Sequence, residues 1–130
     1  MLTALVRYAK VTTDPFLMAY MEKLLPDVRR KYTLFPGLFN GLAGLGNILL
    51  DVYQLFGDQT CLEDAHAVAR GISLYVVPRD DAYLIPGDWL YRCSSDYATG
   101  AAGVALFLWR LRNNAHNFNL LLDGLLMPST

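Results

Sequence analysis

The stretch FNGLAGLGNILLDVYQLFGD, residues 39–58, carries four glycines and a single acidic residue before its final Gly-Asp, in what otherwise reads as a helix. Each interior glycine costs a helix about 1 kcal/mol relative to alanine. A sequence that keeps them needs an offset, and the usual one is the close approach of another backbone. The pattern occurs twice. GLAGLGNILLDVYQL begins at Gly41 and GAAGVALFLWRLRN begins at Gly100, so two Gly-x-Ala-Gly starts lie 59 positions apart, each followed by bulky apolar residues. Gly41 to Phe56 has one charge, Asp51, and Tyr97 to Leu111 has one, Arg110. Helices so apolar are expected to be buried on most sides. The helix between them is different, with Glu63, His66, Arg70 and Ser73 along a polar stripe and Leu62, Ala65, Ala69 and Ile72 along an apolar one. The order inner, outer, inner is an internal repeat of a helix pair. Gly41, Ala43 and Gly44, with Gly100, Ala102 and Gly103, leave little side chain on each first turn, so neighbouring helices are expected to approach there.

The remaining elements follow from local signals. Asp14-Pro15 is an N-cap followed by proline at the first helical position, and Leu17, Tyr20, Met21, Leu24, Leu25 and Val28 recur at helical spacing. Pro26 is expected to split that helix. Asn40 is a favoured N-cap for the helix Gly41 to Phe56, which Gly57 terminates. Thr60 to Glu63 forms a capping box, and Ser94, Ser95 and Asp96 offer caps for Tyr97 to Leu111. Between Pro78 and Cys93, AYLIPGDWLYR suggests two short strands around a Pro-Gly turn.

With 54% hydrophobic residues, 18% charged and a mean hydropathy of +0.25, the 130-residue chain is rich in apolar side chains for one domain. That excess implies a surface that expects a neighbour. The run from Val104 to Trp109 is far short of the roughly 18–20 residues of a membrane span. The opening MLTALVRYAKVTTD has no basic segment leading into an apolar core and cleavage site, so no signal peptide is read. A net charge of −1 gives no electrostatic case for nucleic acid or an anionic membrane. Cys61 and Cys93 form no motif, which points to free thiols and a cytoplasmic chain.

Two segments carry a family resemblance. LFNGLAGLGNILLDVY resembles the Cys-His-Gly-x-Ala-Gly segment of the lanthionine synthetase C-like cyclases, and SSDYATGAAGVALFLWRL resembles the Ser-x-Asp-x-x-Thr-Gly-x-Ala-Gly segment that opens their last inner helix. Order, separation and nearness to the C-terminus agree over about residues 35–112, and the leucine-rich NFNLLLDGLLMP is compatible with the ends of such proteins. The resemblance implies an all-α fold, the last helix pairs of an (α/α) toroid with an irregular or hairpin-like insertion near residues 78–93. Residues 1–130 would then be a single partial domain. It implies a part in adding peptide cysteine thiols to dehydrated serine or threonine, giving thioether rings.

Zinc-dependent members hold the thiolate with two cysteines and a histidine, but the adjacent Cys-His falls on Phe39 and Asn40 here. The pattern therefore resembles the zinc-free cyclase domain of class III lanthipeptide synthetases, and no metal or cofactor is implied. Phe39, Asn40, Ser95 and Asp96 become the candidate substrate pocket, because helix N-termini around a cavity bind polar groups; their capping role is the plainer reading. The implied partners are a precursor peptide and the rest of a synthetase, or a second copy, with neither nucleic acid nor membrane. His66 reads as solvent-facing and His116 as isolated. Asp80, Asp81 and Asp88 lie in the loop, with Tyr83, Trp89 and Tyr91 available to line a groove. No catalytic residue is identified, and there is no nucleophile–base pair, phosphate loop or kinase motif. The alternative is a non-catalytic helical module that binds peptide or serves as a scaffold.

Overall fold

The structure, a computed structural model, describes residues 2–117 and 123. It is mainly α. Helices α1 (Leu2–Thr12), α2 (Pro15–Val28), α3 (Leu42–Phe56) and α4 (Gln59–Ile72) precede a small hairpin, β1 (Val77–Arg79) and β2 (Ala82–Leu84), and α5 (Ala101–Asn113) follows it. Among the described residues no helix is long and apolar enough to cross a membrane. Most of the leucine-rich NFNLLLDGLLMP lies outside the described residues.

α1 has no counterpart in the elements read from the sequence. Leu2, Val6 and Ala9 recur at helical spacing and are buried, which is what holds it to the core. α2 starts as expected, the Asp14 carboxylate accepting from Phe16 N at 2.8 Å. It does not break at Pro26 but runs on to Val28. The proline sits in the last turn, where its missing N–H leaves only one carbonyl short and the helix is about to end. α4 opens earlier than its expected capping box: Asp58 is the N-cap and accepts from Thr60 N at 2.9 Å. Its polar stripe is exposed at Glu63, His66 and Arg70, while the fully buried stripe is Cys61, Ala65, Val68 and Ile72, with Leu62 and Ala69 only half-buried.

α3 is the hub. It lies along α4 and also contacts α1, α2 and α5, and Leu42, Ala43, Leu49 and Leu50 are fully buried in it. α5 is more one-sided than its composition suggested. Gly103, Val104, Phe107 and Arg110 point inward, whereas Leu106, Leu108 and Trp109 are exposed. The hairpin pairs Val77 with Leu84 and Arg79 with Ala82, so its turn is Asp80-Asp81 rather than the Pro-Gly step. Pro86 and Cys93 form a separate bridge that closes the Pro-Gly segment.

The two helix starts share their first loop-to-helix hydrogen bond. Leu42 N donates to Phe35 O at 3.0 Å, and 59 residues on Ala101 N donates to Ser94 O at 2.8 Å. Gly41 and Gly100 are the extended N-cap residues, without a side-chain cap. The capping role expected of Asn40 therefore passes to backbone carbonyls of the preceding loop; at α5 Ser94 O takes Ala101 N, and the Asp96 carboxylate accepts from Thr99 N just ahead of the helix. At α3 three successive N–H groups, of Leu42, Ala43 and Gly44, donate to the carbonyls of Phe35, Pro36 and Gly37, satisfying donors that helix starts otherwise leave unpaired. This wrapping is why the glycines are required. A Cβ at Gly44 would overlap Leu38 O, and one at Gly103 would overlap Tyr97 O, again 59 residues apart. The close approach is thus to the chain's own incoming loop rather than to a neighbouring helix. Gly46 is the exception, since a Cβ there would strike the Phe107 ring of α5.

The repeat also pairs the two lone charges. Asp51 and Arg110 each lie ten residues beyond the repeat glycine, and Arg110 Nη2 donates to Asp51 Oδ1 at 2.5 Å. Asp51 is 1% exposed and Arg110 2%. All five guanidinium donors of Arg110 are used. Nε reaches Ala115 O, Nη1 reaches both oxygens of Asn47, and Nη2 also reaches Gln54 Oε1. From α1, Arg7 donates to Asp51 Oδ2 at 2.8 Å and grips Asp123 through Nε and Nη2. Two cations and two anions thus form a neutral buried cluster joining α1, α3, α5 and Asp123.

Candidate functional site: the joined loops before α3 and α5

The loops that enter α3 and α5 are bound to each other. Leu38 N and Phe39 N both donate to Ala98 O, at 3.0 and 2.9 Å. Gly37 lies against Thr99, so closely that a Cβ would come within 2.8 Å of Thr99 Cα. The Phe39 and Tyr97 rings meet edge to face at 6.0 Å, a geometry aromatic quadrupoles favour. The four residues expected of a substrate pocket therefore come to one end of the helix array. Phe39 and Asn40 lie on one loop, Ser95 and Asp96 on the other, and all four are exposed.

They do not share one cavity. An open cleft of about 700 Å³ beside the loops is lined by Phe39, Asn40, Gly41 and Gly44 and continues along α3 past Leu45 and Ile48. A smaller pocket of about 180 Å³ holds Asp96 with Asp88, Tyr91, Arg92, Ser94 and Thr99, and Ser95 lines neither. Asn40 Nδ2 links the two, donating to Asp88 Oδ1 at 3.4 Å. The loop aromatics frame this end. Phe35 meets Trp89 edge to face at 6.1 Å, and Trp89 and Leu90 both have left-handed backbone, φ 57° and 60°. That conformation costs an ordinary residue about 1–2 kcal/mol, and Trp89 remains 66% exposed.

Asp96 is the most constrained polar group of the set. Its carboxylate accepts from Ser94 Oγ at 2.5 Å, from Thr99 N at 2.7 Å and from Thr99 Oγ1. The Ser94 hydroxyl above all, then the Thr99 N–H, draws its pKa from 3.8 down to about 2. Such a group is a fixed anion and hydrogen-bond acceptor, not a proton donor at neutral pH. Cys61 is no nucleophile either: it is buried, and burial pushes its thiol up to about 11, with Asp58 reinforcing that and Arg29 opposing it. Cys93 is exposed. Among the described residues no three His, Cys, Asp or Glu side chains gather as a metal-ligand set.

Sequence reading missed Asp88 and Thr99 as partners of this end, because the pairing of the loops is a tertiary fact. The signal for Thr99 was present, since Ser-x-Asp-x-x-Thr places a hydroxyl and an N–H three residues past a carboxylate. Arg7 was missed with the helix that carries it. Compared with known proteins, the chain matches no protein-family model and no curated sequence.

Proposed function

We propose that this chain is part of the cyclase of a lanthipeptide synthetase, a segment of its (α/α) toroid, in which the joined loops hold the precursor peptide for zinc-free thioether formation. The observation that carries this reading is the recurrence of the Gly-x-Ala-Gly start 59 residues apart, with Leu42 N and Ala101 N bonded to the corresponding carbonyls of Phe35 and Ser94. Ring closure adds a peptide thiolate to the β-carbon of a dehydrated residue and a proton to its α-carbon. Confining both partners on one surface supplies much of the rate, since well-oriented intramolecular reactions reach effective molarities of about 10⁵ M or more. In this reading Phe39 and Tyr97 pack against the peptide's apolar side chains. Asn40 and Ser95 hydrogen-bond its backbone, and the Asp96 carboxylate accepts from its N–H groups.

The chain's contribution is binding and positioning. The low pKa of Asp96 and the burial of Cys61 also favour the second reading, a module that binds peptide without assisting the chemistry. A dehydrated, cysteine-containing precursor incubated with the synthetase bearing this segment separates the two. Ring formation, followed by mass spectrometry after thiol alkylation, is expected to fall about tenfold or more with Phe39→Ala or Asp96→Ala, alongside weaker peptide binding. Loss of binding with unchanged ring formation favours the second reading, and wild-type values for both sink the proposal.

A further inference from the structure

The cleft beside the joined loops is lined by the apolar Leu45 and Ile48 of α3 and by two asparagine amides, Asn40 and Asn47. Each amide is held by a group that fixes which way round it lies. Arg110 Nη1 donates to Asn47 Oδ1 at 2.9 Å and to Asn47 O at 3.0 Å. A guanidinium only donates, so the oxygen must face Arg110 and Nδ2 is the free end of the amide. Asn40 is the reverse case. Its Nδ2 donates to Asp88 Oδ1 at 3.4 Å, and an ionised carboxylate only accepts, so Oδ1 is the free end. Among the described residues neither Asn47 Nδ2 nor Asn40 Oδ1 has a hydrogen-bond partner.

An oriented acceptor and an oriented donor therefore stand seven positions apart beside one apolar surface, a spacing on the order of 10 Å at the helical rise. An extended peptide satisfies both. Alternate residues of a strand direct their N–H and C=O groups to the same edge, and successive side chains point to opposite faces, so one side chain rests on Leu45 and Ile48. A helical peptide does not match, because its backbone groups are paired internally. Among the described residues the charges lining the cleft are Asp27 and Arg30, which pair with each other at 3.0 Å. The segment that fits is therefore uncharged.

We infer that the cleft binds an uncharged, extended stretch of peptide about three residues long, whose backbone N–H donates to Asn40 Oδ1 and whose backbone C=O accepts from Asn47 Nδ2, with an aliphatic side chain on Leu45 and Ile48. This rests on the reading that the chain holds peptide at this end, and it adds what is recognised there. The main chain is read through two amides, and one side chain is read through the apolar floor. Outward-facing positions of the peptide are free to vary, whereas a charged residue at the inward position is rejected because the floor offers it no partner. Arg110 is a positioning residue for this site, since its hold on Asn47 Oδ1 is what leaves Nδ2 to the peptide.

The test is an NMR titration of the isotope-labelled full chain with the capped peptide acetyl-Gly-Ser-Leu-Ser-Gly-amide, up to about 10 mM. Shifts are expected at the side-chain amides of Asn40 and Asn47 and at the methyls of Leu45 and Ile48. Exchanging the peptide's leucine for lysine is expected to weaken binding about tenfold or more, and N-methylation at one residue, which deletes the N–H given to Asn40, to do the same. Against Asn40→Ala that N-methyl analogue is expected to lose nothing further. Asn47→Asp keeps an oxygen facing Arg110 but turns the free donor into an acceptor, and is expected to cost about tenfold as well. Should that variant lose its helical circular dichroism, the peptide-side changes read the same contacts on the wild-type chain. No binding at the highest concentration, shifts confined to Phe39, Ser95 and Asp96, or equal affinity for the leucine peptide, the lysine peptide and every N-methyl analogue would each overturn the inference. The wider reading fails separately, when a dehydrated precursor neither binds nor cross-links at the joined loops.

Discussion

Replacing Asp51 tests whether the repeat is held by its paired charges. Asp51 accepts from Arg7 at 2.8 Å, from Arg110 at 2.5 Å and, at its two oxygens, from Asn117 Nδ2 at 3.3 and 3.4 Å. Asp51→Leu turns a neutral cluster of Arg7, Arg110, Asp51 and Asp123 into one with an excess buried cation. Removing one partner of a buried pair costs about 3–5 kcal/mol, equivalent for a domain of this size to about 10–20 °C in Tm. The double variant Asp51→Leu with Arg110→Met removes the pair as a unit, and Arg7 keeps its two bonds to Asp123 and one to Thr3 O. Exchanging a whole buried pair for apolar side chains is often nearly neutral, so the double variant is expected within about 2 kcal/mol of wild type. Urea unfolding followed by circular dichroism gives all the free energies of the cycle. A single-variant loss under about 1 kcal/mol, or a double variant that loses the sum of the singles, would refute a charge-coupled core.

Other consequences are as specific. Gly44→Ala and Gly103→Ala are each expected to destabilise by about 1–3 kcal/mol despite alanine's higher helix propensity, because the obstructing atoms are backbone carbonyls; thermal melts at or above wild type would remove the explanation for both glycines. In native protein, a thiol reagent at neutral pH is expected to label Cys93 and spare Cys61 until denaturant is added, and equal native rates would contradict the burial of Cys61. The Asp96 carboxyl is expected to titrate near 2 by NMR. Its folded pKa lies below its unfolded value of about 3.9, so the stabilisation it gives is present above that pH and is lost as pH falls towards 2; a midpoint at the unfolded value would mean the loop bonds do not persist in solution.

The glycine pattern made the repeat legible, and the structure gives it a cause that sequence could not. Periodicity says that small residues face something, but only the folded loops show that Phe35, Leu38, Ser94 and Tyr97 carbonyls are what they face. Cap assignments slipped by one or more residues at α3, α4 and α5 for a related reason. Asn40 has the chemistry of a cap, yet the wrapped loop already fills the first N–H groups of α3 with carbonyls. The isolated charges Asp51 and Arg110 stood out in apolar helices, but their shared position in the repeat became meaningful only once the helices were seen side by side. One-sided burial of α5 was not legible at all, because composition counts apolar residues without saying which have a neighbour. The exposed Leu106 and Leu108 are the result.

The proposed role of the joined loops in holding peptide has a direct test. A dehydrated, cysteine-containing precursor carrying a photoreactive side chain, cross-linked to the protein and mapped by peptide mass spectrometry, reads that location directly. Labels are expected on Phe39 and Asn40 and on the segment from Asp88 to Tyr97, reduced by unlabelled precursor and by Phe39→Ala. Labels confined to α2 or to the outward stripe of α4, or no competable label anywhere, would contradict it.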